Sequence, residues 1–186
     1  MRKLIAAMKI SVDGKVTPAD WVAAWSDDYG LMPQVDACLL GGKQYPEYEN
    51  YWTAIQKNPT TPIWTDNPPT PAELEYARFC EETPHYVLSN TLTSAQWPQT
   101  RFLRGLDEIT TLKAQSGKDI YLVGGATTTA SLIDAGLVDE LRLLVYPLIA
   151  GEGKPLFGTT KNRRKLELRK IEQRPDGLIS EIYVVS

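Results

Sequence analysis

The chain has 186 residues, of which 42% are hydrophobic and 23% charged, and its formal net charge is -3. This length and composition suit one globular domain spanning residues 1–186, with a core large enough to fold alone. The weak negative charge argues against nucleic-acid binding, and no apolar run approaches membrane-spanning length. Lys9 and Asp13 interrupt the apolar N-terminal run, which is unlike a signal peptide. Two cysteines are too few for a disulfide scaffold, which favours a reducing cytoplasm. Taken together, these observations predict a cytoplasmic protein with no nucleic-acid or membrane partner.

The first half of the chain predicts strands and one clearly delimited helix. Residues 4–10 form an apolar run that suits a central strand, and we expect one or two short helices in the following loop, up to about Pro33. Residues 36–41 are the next predicted strand. Residues 70–73, Thr-Pro-Ala-Glu, combine an N-cap, a proline at the first helical position and a capping glutamate. This helix should run to about Glu82.

The second half of the chain alternates strands with helices and ends in a hairpin. Strands are expected at 84–90, 100–104 and 141–146, and a helix at 107–115 with Asp107 as its cap. Residues 166–185 alternate apolar and polar around a turn at Pro175-Asp176-Gly177, which predicts two antiparallel strands. The whole pattern indicates a three-layer α/β/α domain whose sheet is mainly parallel, with an antiparallel C-terminal hairpin.

Residues 120–129, Ile-Tyr-Leu-Val-Gly-Gly-Ala-Thr-Thr-Thr, predict a buried strand, a two-glycine turn and a helix that Gly136 closes. Glycine lets the backbone approach a ligand, and the N-terminus of the following helix presents free N–H groups and a positive dipole end. A phosphate would suit such a turn. The alternative is that the glycine pair only makes a tight strand-to-helix turn.

Three predicted strand ends carry small or polar residues, at 41–44, 89–91 and 124–127. Because ligands of open parallel sheets bind beyond the carboxyl ends of the strands, these turns could form one phosphate-binding crevice. Lys43 is the only cation in the three turns and could pair with a phosphate, or it could be an ordinary surface lysine.

Several other kinds of site are disfavoured by the residues present. His85 is the only histidine and lies at the start of a predicted strand, which disfavours a histidine-based triad, and packing or surface polarity is its expected role. One histidine and two distant cysteines predict no metal site. The chain also has neither the P-loop motif nor the Gly-x-Gly-x-x-Gly dinucleotide fingerprint.

Five sets of residues, in this order along the chain, form a pattern that can be compared with known families. They are residues 4–7 with 11–15, residues 39–45, residues 86–89, residues 120–126 with 137–141, and the run Tyr-Pro-Leu-Ile-Ala-Gly-Glu-Gly-Lys-Pro-Leu-Phe at 146–157. These motifs and the order of elements resemble the dihydrofolate reductase fold, and within it the branch that includes the reductase domain of bifunctional riboflavin-biosynthesis proteins. The resemblance covers nearly the whole chain.

The resemblance implies an NADPH-dependent reductase that transfers a hydride to a small nitrogen heterocycle, such as a pteridine or an aminopyrimidine, and a homodimer. It implies that Gly124, Gly125, Ala126 and Thr127 hold the pyrophosphate, that Gly41, Gly42, Lys43 and Gln44 lie along the adenosine side with Ser89 and Asn90 near its 2'-phosphate, and that Ala6 and Ala7 line the nicotinamide region. Many relatives have arginine where Gly42 stands, so phosphate recognition would fall to Lys43 or another residue.

The resemblance also implies a carboxylate that binds the substrate ring and assists its protonation. Family spacing counted back from Gly41 points to Asp27 or Asp28, and the local sequence around Asp20 offers a third candidate. Each aspartate could instead be a helix cap or a turn residue. If none of them faces the nicotinamide side of the cleft, the alternative hypothesis of a non-catalytic nucleotide- or pterin-binding module gains support.

Overall fold

The computed structural model describes residues 1–17, 20–22, 25–63 and 66–186. Four helices and eight strands follow one another along these residues. In chain order they are β1 (Leu4–Ser11), β2 (Val35–Gly41), α1 (Tyr45–Lys57), α2 (Pro71–Glu82), β3 (His85–Leu88), β4 (Arg101–Leu103), α3 (Leu106–Ala114), β5 (Asp119–Gly124), α4 (Ala126–Asp134), β6 (Glu140–Tyr146), β7 (Leu166–Gln173) and β8 (Ile179–Val185).

All eight strands belong to one sheet, in the order β4-β3-β2-β5-β1-β6-β8-β7. Strands β1 to β6 pair in parallel, and β8 is antiparallel to both of its neighbours. Strand β1 lies between β5 and β6 and is buried along its whole length. This explains why its residues form a nearly continuous apolar run rather than an alternating one.

Helices cover both faces of the sheet and divide the core into two clusters. On one face, Ile109 and Leu112 of α3 pack with Leu132 and Ile133 of α4 against the even-numbered side chains of β1. On the other face, aromatic residues of α1 and α2 pack with Ile5 and Ala7 of β1. The structure thus has the predicted three layers, the mainly parallel sheet and the antiparallel hairpin.

Helix α1 is the largest element that the sequence pattern did not predict. It has Pro46 in its first turn, and its buried side chains include Glu49, Trp52 and Ile55. The spacing of these residues is that of one helix face. The glycine pair before the helix and the aromatic residues within it hid this period, because both favour other local structures.

The predicted short helices after β1 are absent from the described part of this segment. Residues 20–22 and 25–34 form turns and bends, and residues 18, 19, 23 and 24 lie outside the described chain. Long-range hydrogen bonds hold the segment. The guanidinium of Arg142 donates to the carbonyl of Tyr29 and to the side chain of Gln34, and both bonds are 2.9 Å long. Tertiary contacts rather than helical periodicity shape this connection.

Helix α2 begins as predicted, with a reciprocal capping box between Thr70 and Glu73. The N-cap of helix α3 lies two residues before the expected one, Asp107. Gly105 is its N-cap, and the carboxylate of Glu108 accepts hydrogen bonds from the backbone N–H groups of Arg104 and Gly105. Asp107 therefore lies inside the first turn, where a negative charge still favours the helix dipole.

The C-terminal hairpin forms at the predicted turn, where Gly177 has a φ of +85°. The register between β7 and β8 shifts between Leu168 and Lys170, so the predicted alternation is broken there. Both cysteines are buried and unpaired. No helix in the described ranges is long and apolar enough to cross a membrane.

Candidate active site

A cleft of about 700 Å³ opens at the carboxyl ends of β1, β2 and β5. It has two chemically different parts. One is lined by the glycine-rich turns after β2 and β5 and by the start of α4, and the other is lined by aromatic side chains. This position, beyond the strand ends of a parallel sheet, is where ligands of such folds bind.

The N-terminus of α4 forms one wall of the cleft and suits an anion. Its N-cap is Gly125, no side chain caps it, and its first turn contains no acidic residue. By contrast, the first turns of α1, α2 and α3 all contain glutamate or aspartate. The helix dipole of α4 is therefore left to attract a negative charge from the cleft.

A lysine that the sequence pattern did not single out lies beside this helix terminus. The Nζ atom of Lys154, in the loop after β6, donates a hydrogen bond of 2.7 Å to the hydroxyl of Thr127. Lys43 also lines the cleft, from the turn after β2. Lys154 thus places an ammonium at the helix N-terminus, and Lys43 adds a second cation to the lining of the cleft.

The glycines bring the two turns into contact with their neighbours. A Cβ atom on Gly41 would lie 2.0 Å from Oγ1 of Thr128, and one on Gly42 would lie 2.5 Å from the Ser89 side chain. The Gly124–Gly125 peptide is cis, and Gly124 has a φ of +127°, which favours glycine. Gly41 and Gly42 have no room for a side chain, so backbone atoms form the floor of the cleft there.

Most of the predicted cofactor residues meet in this cleft. Ala7, Gly41, Gly42, Lys43, Gln44, Gly125, Ala126 and Thr127 line it. The structure places the other four differently. Gly124 lies just behind Gly125, Ala6 is fully buried in the core on the α3 and α4 side, Ser89 packs against Gly42, and the exposed Asn90 does not line the cleft.

The second part of the cleft is an aromatic chamber on the α1 and α2 side of the sheet. We use this name for the seven cleft-lining aromatic residues Trp25, Tyr29, Tyr48, Tyr51, Trp52, Tyr76 and Tyr121. Several of their rings pack edge to face; Tyr51 and Trp52, for example, have centroids 4.9 Å apart at 85°. Burial raises the pKa of Tyr29, Tyr48 and Tyr76 well above the usual range, so these phenols stay neutral.

None of the three candidate aspartates is among the cleft-lining residues. The carboxylate of Asp27 accepts hydrogen bonds from the backbone N–H groups of Leu31 and Met32, at 2.6 and 3.0 Å, and so holds the turn before β2. Asp20 is exposed. The carboxylate of Asp28 forms an ion pair of 2.7 Å with the ammonium of Lys9, and it is Lys9 that reaches the cleft.

Lys9 is a site residue that the sequence already marks as unusual, because it interrupts the apolar run of β1. A lysine inside the central apolar strand is uncommon, because burying an ammonium is costly unless it is paired. Its position two residues after Ala7 places it on the α1 and α2 face of the sheet. Lys154 gave no such signal, since it lies in a glycine-rich loop far from α4 in sequence.

Asp13 has a structural role in the turn after β1. Its carboxylate accepts hydrogen bonds from the Ser11 hydroxyl and from the backbone N–H groups of Ala150 and Gly151. The Ser11 hydroxyl, followed by the Ala150 amide, lowers the pKa of Asp13 to about 2. Within the described ranges, no group of three or more His, Cys, Asp or Glu side chains is placed to hold a metal ion.

Comparison with known proteins identifies the family of this arrangement. The sequence matches the RibD C-terminal domain over residues 2–180. The chain belongs to the RibD C-terminal domain family. Among curated proteins it is 31% identical to the uncharacterized protein YyaP of Bacillus subtilis (strain 168), over 98% of this chain and 94% of that protein.

Solved structures share the RibD-type fold. A putative riboflavin biosynthesis protein from Shewanella sp. PV-4 superposes with a TM-score of 0.69 and 21% identity, covering 99% of both chains. Dihydrofolate reductase from Enterococcus faecalis, in complex with NADP(H) and RAB-propyl, superposes with a TM-score of 0.61 and 13% identity, covering 99% of this chain and 96% of that one. The fold is therefore of the dihydrofolate reductase type.

Proposed function

We propose that this protein is a reductase that uses NADPH to reduce a small nitrogen heterocycle. The observation that carries the proposal is the meeting, in one cleft, of an anion-binding helix terminus with a chamber of aromatic side chains. A dinucleotide needs the first for its phosphates, and a flat ring needs the second for stacking.

The residues of the cleft fit the dinucleotide. The uncapped N-terminus of α4 and the ammonium of Lys154 would hold the pyrophosphate, and the side-chain-free backbone at Gly41, Gly42 and Gly125 would let it approach closely. Lys43 supplies a further positive charge for the 2'-phosphate that distinguishes NADPH from NADH. When bound, the nicotinamide supplies the hydride.

The protein itself contributes binding and orientation. The cleft holds two ligands against each other, which lowers the entropic part of the barrier to their reaction. The aromatic chamber would exclude water from the reacting ring and fix its plane. The homodimer that the family resemblance implies is a further proposal.

A substitution at Thr127 tests the proposal directly. Thr127 is exposed in the first turn of α4, where aspartate suits the helix dipole but would repel a phosphate. We expect Thr127→Asp to keep the unfolding temperature of the wild type and to lose at least tenfold in NADPH affinity, measured by the fluorescence of the bound dinucleotide. Ala72→Asp makes the same charge change in the first turn of α2 and serves as the matched control.

Turnover is tested by following NADPH oxidation against dihydrofolate, dihydropterins and the aminopyrimidine of riboflavin synthesis. Oxidation with one of these would support the reductase, and no binding of NADPH at millimolar concentration would refute it. A binding module is the second candidate, favoured by the finding that none of Asp20, Asp27 and Asp28 lines the cleft. That candidate predicts NADPH binding without oxidation of the dinucleotide across the panel.

A further inference from the structure

Lys9 is a buried ammonium at the edge of the aromatic chamber. Its side chain is only 3% exposed, yet it lines the cleft beyond Ala7 at the carboxyl end of β1. The Nζ atom lies 2.7 Å from Oδ2 of Asp28 and 4.5 Å from the centroid of the Trp25 ring. The carboxylate and the ring fix the ammonium from two sides.

The charges around Lys9 come from three other parts of the chain. Burial lowers its pKa, and the hydrogen bond and charge of Asp28 oppose this effect. Arg174, after β7, lowers the pKa further, while Glu73 of α2 raises it. Asp28 is also held by Arg174, because the guanidinium of Arg174 donates a hydrogen bond of 3.1 Å to the backbone carbonyl of Asp28. Burying an ammonium costs free energy of desolvation. A group on a ligand that accepts a hydrogen bond from the ammonium would offset this cost.

The rest of the chamber restricts what that ligand can be. Among the described residues that line the cleft, the other cations are Lys43 and Lys154, which belong to the part formed by the glycine turns and α4. No arginine is found among these lining residues. Around Lys9 the walls are aromatic, so they suit a flat ring and give no cluster of donors for a phosphate.

We propose that Lys9 anchors the substrate by donating a hydrogen bond from its ammonium to a carbonyl oxygen of a planar, phosphate-free heterocycle stacked in the aromatic chamber. Asp28 acts as the positioning residue that orients the ammonium, and Trp25 covers it. The inference rests on the proposed function, since it assigns this chamber to the substrate and the α4 terminus to the dinucleotide.

Calorimetric titration with two bicyclic probes tests the anchor without requiring turnover. Quinazoline-2,4-dione carries carbonyl oxygens, and quinazoline has the same ring system without them. We expect the wild type to bind the dione more tightly, and Lys9→Met to lose about tenfold in dione affinity while quinazoline affinity stays within twofold. Lys3→Met, which removes an exposed lysine outside the cleft, is the matched control and should leave both affinities unchanged.

Two additions keep the test decisive. Lys9→Met leaves Asp28 without its partner, so the double variant Lys9→Met with Asp28→Asn removes both charges and should fold if the single variant does not. The same titrations with inorganic phosphate test whether Lys9 is a phosphate ligand instead. Equal dione affinity in the wild type and the double variant, no dione binding at millimolar concentration, or phosphate binding that disappears with Lys9 would each overturn the proposal.

NADPH titration of the same variants separates this inference from the proposed function. We expect Lys9→Met to bind NADPH within twofold of the wild type, because the dinucleotide phosphates meet the α4 end of the cleft. A wild type that binds the dione through Lys9 but does not bind NADPH would refute the proposed function and leave the ring anchor intact. A wild type that binds NADPH but not the dione would do the reverse.

Discussion

The ammonium of Lys154 donates a hydrogen bond of 2.7 Å to the hydroxyl of Thr127, and this bond joins the loop after β6 to the first turn of α4. These residues are 27 positions apart in sequence. The contact places a positive charge at the positive end of a helix dipole, an arrangement that is unfavourable unless an anion binds there. It is therefore the contact on which the proposed dinucleotide site depends most.

Replacement of this lysine should weaken dinucleotide binding without unfolding the protein. We expect Lys154→Ala to lose about tenfold in NADPH affinity at low salt, because one charge-assisted phosphate contact is removed. The loss should shrink as salt is added, since salt screens exposed charges. Lys165→Ala removes an exposed lysine outside the cleft and is the control. Equal NADPH affinities for wild type and Lys154→Ala would contradict the assignment.

The close contact between Gly41 and Thr128 predicts a destabilising substitution that a second one relieves. A Cβ on Gly41 would lie 2.0 Å from Oγ1 of Thr128, so Gly41→Ala should cost about 2 kcal/mol of unfolding free energy by overpacking. Thr128→Ala removes the clashing oxygen and should recover part of that cost. A double-mutant cycle measured by urea unfolding gives the coupling. Strictly additive effects would show that α4 does not lie against β2 in this way.

The single histidine predicts how stability changes between neutral and acid pH. His85 is fully buried, and burial lowers its pKa from 6.5 to about 4. The folded state therefore binds fewer protons than the unfolded state in this range. Stability is present above pH 6.5 and is lost as the pH falls towards 4, by about 3 kcal/mol in all.

His85→Phe keeps the ring that packs against Trp97 and removes the titration. We expect this variant to have a flat stability profile between pH 6.5 and 5, measured by urea unfolding at each pH. The carboxyl of Asp13, with its pKa lowered to about 2, should contribute only at lower pH, below 3.8. An unchanged slope in His85→Phe would mean that other groups cause the acid limb.

A buried carboxylate ties α1 to the loop before β4. Oε1 of Glu49 accepts hydrogen bonds from the Tyr45 hydroxyl at 2.7 Å and from the backbone N–H groups of Gln96 and Trp97 at 2.8 and 2.9 Å. We expect Glu49→Gln to cost about 1–2 kcal/mol, because charge-assisted bonds become neutral ones, and Glu49→Ala to cost more.

Thermal and urea unfolding measure these two losses of stability. Glu47→Gln, an exposed change on the same helix, should shift the unfolding free energy by less than about 0.5 kcal/mol. If Glu49→Ala proved as mild as Glu47→Gln, the loop would have to be held by other contacts.

Local patterns were sufficient for most of the fold. The strands were visible as apolar runs, and the capping box of α2 and the turn at Pro175-Asp176-Gly177 follow from residue chemistry within a few positions. Helix α1 was missed because its aromatic residues favour a helix only weakly and the glycine pair before it favours a turn. It is stabilised by packing against α2 and the sheet, which no local pattern reports.

The candidate site was predictable only where it depends on backbone. The glycine turns at Gly41–Gly42 and Gly124–Gly125 were identified because a missing side chain is a local property, and the parallel sheet then brings the strand ends together. The contacts that the carboxylates of Asp27 and Asp28 make could not be predicted in the same way. Each carboxylate found a partner elsewhere, Asp27 in a turn and Asp28 in Lys9.

The sequence by itself determined the three-layer architecture, the position of the glycine-floored cleft and membership of a reductase-like fold, because periodicity, capping and glycine turns act over a few residues. Only the tertiary structure decided which charges enter the cleft. Lys154 reaches Thr127 and Lys9 reaches Asp28 across long stretches of chain, and the aromatic chamber combines residues of β5, α1, α2 and a loop. Such contacts arise from the packing of whole elements, whose relative positions depend on the complete core rather than on any local segment.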